Sequence, residues 1–354
     1  MVGSTITRPK LTIIGAAILF APVFALSWPA ASAADDTPLQ LTIATWGGVQ
    51  EPIVRSAIGN ALAKQGIKVN FLFGTSGDRL ARLYAEKGNP SIDLSLLPVD
   101  RVAKAIDEGV CEPAGPSANI PEFENLYPWA RQTGYGVSLL AMGLQYKPSK
   151  VKTPPTSWSD LWKPEFKGKI AAPAFPQLTQ GGLLLVMAAK LDGGNEDNIN
   201  PGFERVKQLK PFGAIYNSTD ALDRLWQETE VVIAPAITSY SQDFMAKGGD
   251  VAIAFPQEGA IAMLNSLCIS TGTKNKVAAE KAVNLFLSQE LQERLAKQLY
   301  FGPTSKKVVL SPEVASKAPY GPEVTNKLVS YDWRKIATAM GPWADRWNRE
   351  IVGR

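Results

Sequence analysis

The sequence predicts an α/β protein of two lobes, each a mostly parallel sheet flanked by helices, joined by two crossing strands. Three observations predict it. Strand-like, loop-like and helix-like segments alternate from residue 39 onward, the pattern of a parallel sheet covered on both faces. A second series of the same kind lies between two long β-rich stretches, Gly134–Tyr146 and Ala260–Ser270. The chain beyond residue 33 is about 320 residues long, more than a single core usually supports. The implied division places residues 34–137 and 262–354 in one lobe and 138–261 in the other.

Leu39 to Trp46 alternates and is rich in β-formers, Gly47-Gly48 breaks it, and residues 50–64 read as an amphipathic helix. Residues 67–73 form a second strand, followed by Gly74-Thr75-Ser76-Gly77-Asp78 and a helix over 79–87. A third strand (91–97) and helix (99–108) complete the first series. Sheets of this class hold ligands at the carboxyl ends of their strands, where Gly47-Gly48 and Thr75–Asp78 lie. After the crossing at 134–146, the second series has a strand near 170–172 and helices over 181–190 and 201–209. A strand at 213–216, a helix over 221–229 and a strand at 231–234 follow. The return strand leads to helices at 274–288, 290–299 and 332–351. In the last, Trp343, Trp347 and Ile351 recur every four residues, a stripe for core packing.

Thr156–Gly168 is the most distinctive segment. Ser157 is placed to cap a helix start, and Asp160 completes a capping-box-like pair. Trp158, Leu161 and Trp162 form a stripe to bury, and Lys163-Pro164 stops the turn. Such a run is scaffold and touches no ligand.

At the N-terminus, Arg8 and Lys10 precede an apolar stretch from Leu11 to Leu26, and Ala31-Ser32-Ala33 fits a small-x-small cleavage site. The expectation is a signal peptide over 1–33 and export to a bacterial periplasm. The stretch is short of the about 20 residues of a membrane span, and no Cys follows it to carry a lipid, so no stable membrane anchor is expected. Cleavage removes Arg8 and Lys10, so net charge falls from +4 to +2, a balance that disfavours nucleic acid. Cys111 and Cys268 are the only cysteines, both in segments assigned to the first lobe. Two readings stand: a disulfide, which an oxidising compartment permits, or two separate buried thiols.

The Trp-x-x-Leu-Trp-Lys-Pro string of Trp158–Pro164 resembles a signature of the spermidine/putrescine-binding proteins of ABC importers. The resemblance extends to Phe255-Pro256-Gln257-Glu258-Gly259, Asn265-Ser266-Leu267, Lys274-Asn275-Lys276, Gly302-Pro303-Thr304 and Leu310-Ser311-Pro312-Glu313-Val314. It implies a type 2 periplasmic binding fold, a two-lobed clamshell that captures a small solute and delivers it to the transmembrane subunits of a permease. It implies no chemistry on the solute and no cofactor; the partners are the solute and the permease, and the protein is expected to be a monomer.

The implied ligand meets an obstacle. A polyamine site needs carboxylates for its ammonium groups and aromatic faces for its methylenes. Trp46 stands at the family's first-strand aromatic position. The family's acidic positions, however, fall on Thr179, Gly182 and Asn265, its return-strand tryptophan on Met263, and a loop aromatic on Ile237. Burying ammonium groups without counter-charges costs several kcal/mol per ion. Asp78, Asp220 and Glu258 remain near the expected cleft, with Asp78 read first as a helix cap and Glu258 as a solvated turn residue. Hydrogen-bonding groups replace the acids. Gly47, Thr75, Ser76 and Asp78 are the ligand candidates beside Trp46 in the first lobe. Thr179, Asn217, Ser218, Thr238 and Tyr240 are those of the second, and Asn265 lies on the return strand; Gln180, Thr219 and Ser239 add to the polar set. With backbone N–H groups at helix starts after Gly48, Gly77 and Gly181, this set also suits an amino acid or other small amino-carboxylate.

Two rivals have less support. Histidine is absent, which removes the usual general base and commonest metal ligand, and no nucleophile-elbow or Walker-type motif appears, so an enzyme is not expected. Ferric iron would want clustered ligands, and Ser239-Tyr240-Ser241 supplies a single tyrosine.

Overall fold

The computed structural model describes residues 39–353, together with Gly3. The expected signal peptide thus lies outside the described residues apart from Gly3. β1 (Leu39–Thr45) is flanked in parallel by β2 (Ile67–Phe73) and β3 (Leu94–Pro98), with Leu39 opposite Ile67 and Ile43 opposite Leu94. β9 (Ile261–Ile269) runs antiparallel to β3, and β4 (Tyr135–Tyr146) antiparallel to β9. β4 is long enough to change neighbours. Tyr135–Met142 pairs with β9, and Met142–Tyr146 pairs with β7 (Ile233–Ile237), while its end also pairs with β8 (Ala252–Ala254). The short parallel pair β5 (Ala171–Pro173) and β6 (Ala214–Tyr216) joins β7 through an Ile170–Ile233 bridge, and β10 (Gly302–Pro303) lies on β4.

The sheets are therefore mixed, where the sequence pattern implied mostly parallel ones. A strand leaving one lobe and a neighbouring strand returning must run in opposite directions, so the crossing pair β4–β9 is antiparallel and each sheet inherits that direction.

In the first lobe, Leu41, Ile43, Ile58, Leu62 and Phe286 fill one face beneath the helices at 51–63 and Lys276–Phe286. Leu83, Leu97 and Val102 fill the other beneath Ser76–Ala85 and Val99–Asp107. Cys111 and Cys268 lie in this second cluster and form a disulfide across a sequence separation of 157, with Cα atoms 5.5 Å apart. In the second lobe the Thr179–Leu191 helix is buried from Thr179 to Ala189, as its apolar circumference requires.

The C-terminal helix, Trp333–Trp347, packs on both lobes. Arg334 at its start pairs with Asp107 of the first lobe at 3.2 Å, and Trp333 shares a cluster with Val99 and Ala103. Trp343, Trp347 and the following Ile351 belong to the same cluster, with Trp158, Leu183 and Phe203, and Trp347 meets Phe175 edge-on at 5.9 Å. The close approach explains Gly182: a Cβ there would stand 2.8 Å from Met340 Sδ.

The Trp158–Trp162 segment is a single 3-10 helix, with Pro164 ending it. Ser157 Oγ accepts from Ser159 N–H at 3.0 Å, and Asp160 accepts from the N–H groups of Thr156 and Ser157 at 2.8 and 3.2 Å. Glu258 is not a solvated turn residue. It accepts from Ser157 Oγ and from Trp158 N–H at 3.1 Å, while Trp158 Nε1 donates to Gly259 O at 2.9 Å. The 255–259 segment of the resemblance and the Trp158 run are one structural unit.

Candidate functional site

A cleft of about 550 Å³ opens at the carboxyl ends of the strands, walled by both lobes and floored by the crossing strands. The first lobe contributes Trp46, Thr75, Ser76, Arg101 and Phe301; the second contributes Gln177, Thr179, Gln180, Asn217, Thr219 and Tyr240. Met263 and Asn265 reach it from β9.

The local sequence places these groups. Thr75 and Asp78 form a reciprocal capping box, which starts the helix at Ser76 instead of the expected residue 79. Thr75 Oγ1 accepts from Asp78 N–H at 3.2 Å, and Asp78 Oδ2 accepts from Thr75 Oγ1 at 2.6 Å. Hydrogen bonds from Thr75 hold the Asp78 carboxyl below the usual range. Asp78 is thus engaged as a cap, outside the cleft lining. Thr75→Ala is expected to cost about 1 kcal/mol in urea unfolding through loss of the N-cap.

Three other candidates also lie off the lining. Gly47 packs against Phe73, where a Cβ would sit at 3.3 Å. Ser218 caps the Thr219–Glu228 helix, accepting from Ala221 N–H at 3.1 Å. Thr238 is buried beside β4, with its N–H on Ala141 O at 2.7 Å. The loop after β7 is fixed from within: Gln145 Nε2 donates to Ile237 O and Tyr240 O at 3.0 and 2.8 Å. That loop presents Tyr240 to Gln180 Nε2 at 3.3 Å, and burial pushes the Tyr240 phenol up.

The positions where the resemblance expects acids are occupied otherwise. Thr179 Oγ1 donates to Asp100 Oδ2 at 3.4 Å across the lobes, Gly182 is closed off by Met340 and Phe175, and Asn265 Nδ2 donates to Ser138 Oγ at 3.0 Å. Asp100 is buried at the cleft margin, and desolvation pushes its carboxyl up, against the nearby Arg101 charge. No acidic residue is among those lining the cleft.

Sequence reasoning missed Arg101, Gln177 and Phe301. Arg101 had a signal: it lies in Pro98-Val99-Asp100-Arg101, directly after β3, at the strand-end position that binds ligands in such sheets. The helical pattern of 99–108 masked it. Arg79 was read only as a helix residue. It is 4% exposed beneath Trp46, with its guanidinium carbon 5.1 Å from that ring, and burial followed by the Arg101 charge pulls its pKa down to about 10.

Residues 58–321 match the family model of the bacterial extracellular solute-binding proteins. The chain belongs to this family. This solute-binding protein is 26% identical over 209 residues to the spermidine/putrescine-binding periplasmic protein of Escherichia coli, covering 56% of the chain and 58% of that relative's length. It is 23% identical over 293 residues to a putative 2-aminoethylphosphonate-binding periplasmic protein of Salmonella paratyphi A, covering 80% and 83%. Among solved structures, an ABC transporter protein from Clostridium perfringens superposes with a TM-score of 0.78 at 28% identity, over 88% of this chain and 99% of that one. The two-lobed fold of this solute-binding protein is that of periplasmic binding proteins. Among the described residues no helix is long and apolar enough to cross a membrane.

Proposed function

We propose that this chain is the solute-binding component of an ABC importer, working in the periplasm after removal of residues 1–33. It captures one small polar solute between its lobes as a monomer, closes on it, and hands it unchanged to the permease. The observation that carries this reading is the cleft: about 550 Å³, at the strand ends, with hydrogen-bonding side chains converging from both lobes.

The solute is not an alkyl polyamine. The relatives' names point both to polyamines and to a zwitterionic phosphonate, so the names do not choose. Thr179, Gly182 and Asn265 replace the expected carboxylates, and a side chain at Gly182 would have to displace the Met340 thioether and press on Phe175. A small amino-carboxylate or similar zwitterion suits the remaining polar groups better.

The test is a thermal-shift screen of the purified mature protein against amines, amino acids, phosphonates, sugars and ferric salts. A cleft ligand at about 100 times its Kd is expected to add about 2.7 kcal/mol of stability by mass action. A large shift with spermidine or putrescine overturns the exclusion of polyamines, and turnover of a bound solute overturns the transport reading.

A further inference from the structure

Two guanidinium groups meet at one end of the cleft without a counter-ion. Arg101 lines it, and among the described residues neither Arg101 nor Arg79 has a carboxylate within ion-pair distance and Arg101 makes no side-chain hydrogen bond. Its Nη1 stands 3.4 Å from the point a Cβ on Gly77 would occupy, against the first turn of the ten-residue Ser76–Ala85 helix. Arg79 lies behind that turn, 96% buried by its 4% exposure. Its Nη1 donates to Thr45 O at 3.0 Å and to Gly74 O, a cleft residue, while Nε and Nη2 are buried with no partner. Of the acids adjoining them in sequence, Asp78 is engaged in its capping box with Thr75, while Asp100 accepts only from Thr179 at 3.4 Å, with its Oδ1 buried and unpartnered and its carboxyl pushed up by desolvation.

Unpaired buried cations are unfavourable, and a protein built to receive a solute can leave their neutralisation to it. The helix start adds to this. Asp78 N–H is satisfied by Thr75, but the first two N–H groups, of Ser76 and Gly77, have no intrahelical acceptor and carry the positive end of the helix dipole. The guanidinium fork of Arg101 matches the spacing of two oxygens on one anionic centre.

We propose that an oxyanion group of the solute, a carboxylate or a phosphonate, docks between Arg101 and the N–H groups of Ser76 and Gly77, with Arg79 as a fixed positive charge beneath Trp46. This deepens the importer reading and rests on it only in taking this cleft as the solute site. Trp46, held over Arg79, then flanks the anionic end of the solute, and the second-lobe groups Thr179, Asn217 and Tyr240 meet its far end. The same two arginines repel an ammonium group, which adds to the loss of carboxylates in excluding a diamine.

The experiment compares the full mature chain with Arg101→Ala and Arg101→Lys by calorimetry and thermal shift. The carboxylate arm uses acetate, succinate and 4-aminobutyrate; the phosphorus arm uses inorganic phosphate and 2-aminoethylphosphonate. Butane-1,4-diamine and a neutral sugar panel serve as contrasts. At least one oxyanion is expected to bind at millimolar concentration or below, and the arm that responds names the group. Arg101→Ala should weaken that binding about 10- to 100-fold, the size of one lost charge-assisted contact, with Arg101→Lys in between. The midpoint of each variant without ligand, read in the same scans, shows that it is folded. Equal binding by wild type and Arg101→Ala overturns the proposal, as does the absence of binding by every oxyanion. If a sugar or the diamine binds instead, the oxyanion site falls and the importer reading stands; if no solute of the wider screen binds, both fall.

Discussion

Replacing Cys111 and Cys268 together by alanine is expected to destabilise the protein by about 2–5 kcal/mol, the upper part of the range for a disulfide. The bond closes a loop with a sequence separation of 157, and the chain-entropy model assigns about 5 kcal/mol to a loop of that length. It also ties the end of β9 to the segment after the Val99–Asp107 helix, where Cys111 makes an isolated bridge with Ser270. Both side chains are buried, so their loss adds a small packing cost. Thermal unfolding with and without reductant checks it, and the melting temperature should fall by roughly 5–10 °C. Mass spectrometry under denaturing, non-reducing conditions gives the independent reading: alkylation of both cysteines there rules the bond out. An unchanged midpoint after substitution means that the bond constrains nothing beyond what the sheet already holds.

Trp158→Ala should have a comparable effect, about 3–5 kcal/mol, for a different reason. The indole is fully buried in the cluster that holds Leu183, Phe203 and Trp347, and its Nε1–H satisfies Gly259 O at 2.9 Å. The substitution therefore leaves a cavity and an unpaired carbonyl together. Trp162 provides the contrast: it is half-buried, with its ring under the Arg205 guanidinium at 4.4 Å, and Trp162→Ala should cost less. Urea unfolding of the two variants checks the order. Because Trp158 is outside the cleft lining, the folded fraction of Trp158→Ala should keep its solute affinity; a loss of affinity without a loss of stability contradicts a scaffold role for the run.

Much of this was legible in the sequence because it depends on near neighbours. The capping box at Ser157 and Asp160, the stop at Pro164 and the strand–helix alternation from residue 39 are local patterns, and the structure contains them. Trp46, Thr75, Ser76, Thr179, Asn217, Tyr240 and Asn265, candidates from the sequence, line the cleft; Trp46, Thr75 and Ser76 do so because β1 and β2 end there, and Asn265 because β9 crosses it. The same rule pointed at Arg101, but a residue inside a helical pattern gives no sign of which way it faces. Asp78, Ser218 and Thr238 carry the right chemistry and were candidates for that reason; their hydrogen bonds go to helix caps and strand edges, which depend on the fold.

The sequence by itself determined the lobed α/β architecture, the scaffold run and the scarcity of carboxylates where a polyamine needs them. These follow from periodicity and residue identity, which act over a few positions. The tertiary structure alone decided that Glu258 holds the Trp158 turn, that the last helix packs against both lobes, and that Arg101 lines one cleft end with Arg79 buried behind it. Each joins residues far apart in the chain, and such pairings are set by how the sheets cross and which faces are left to bury.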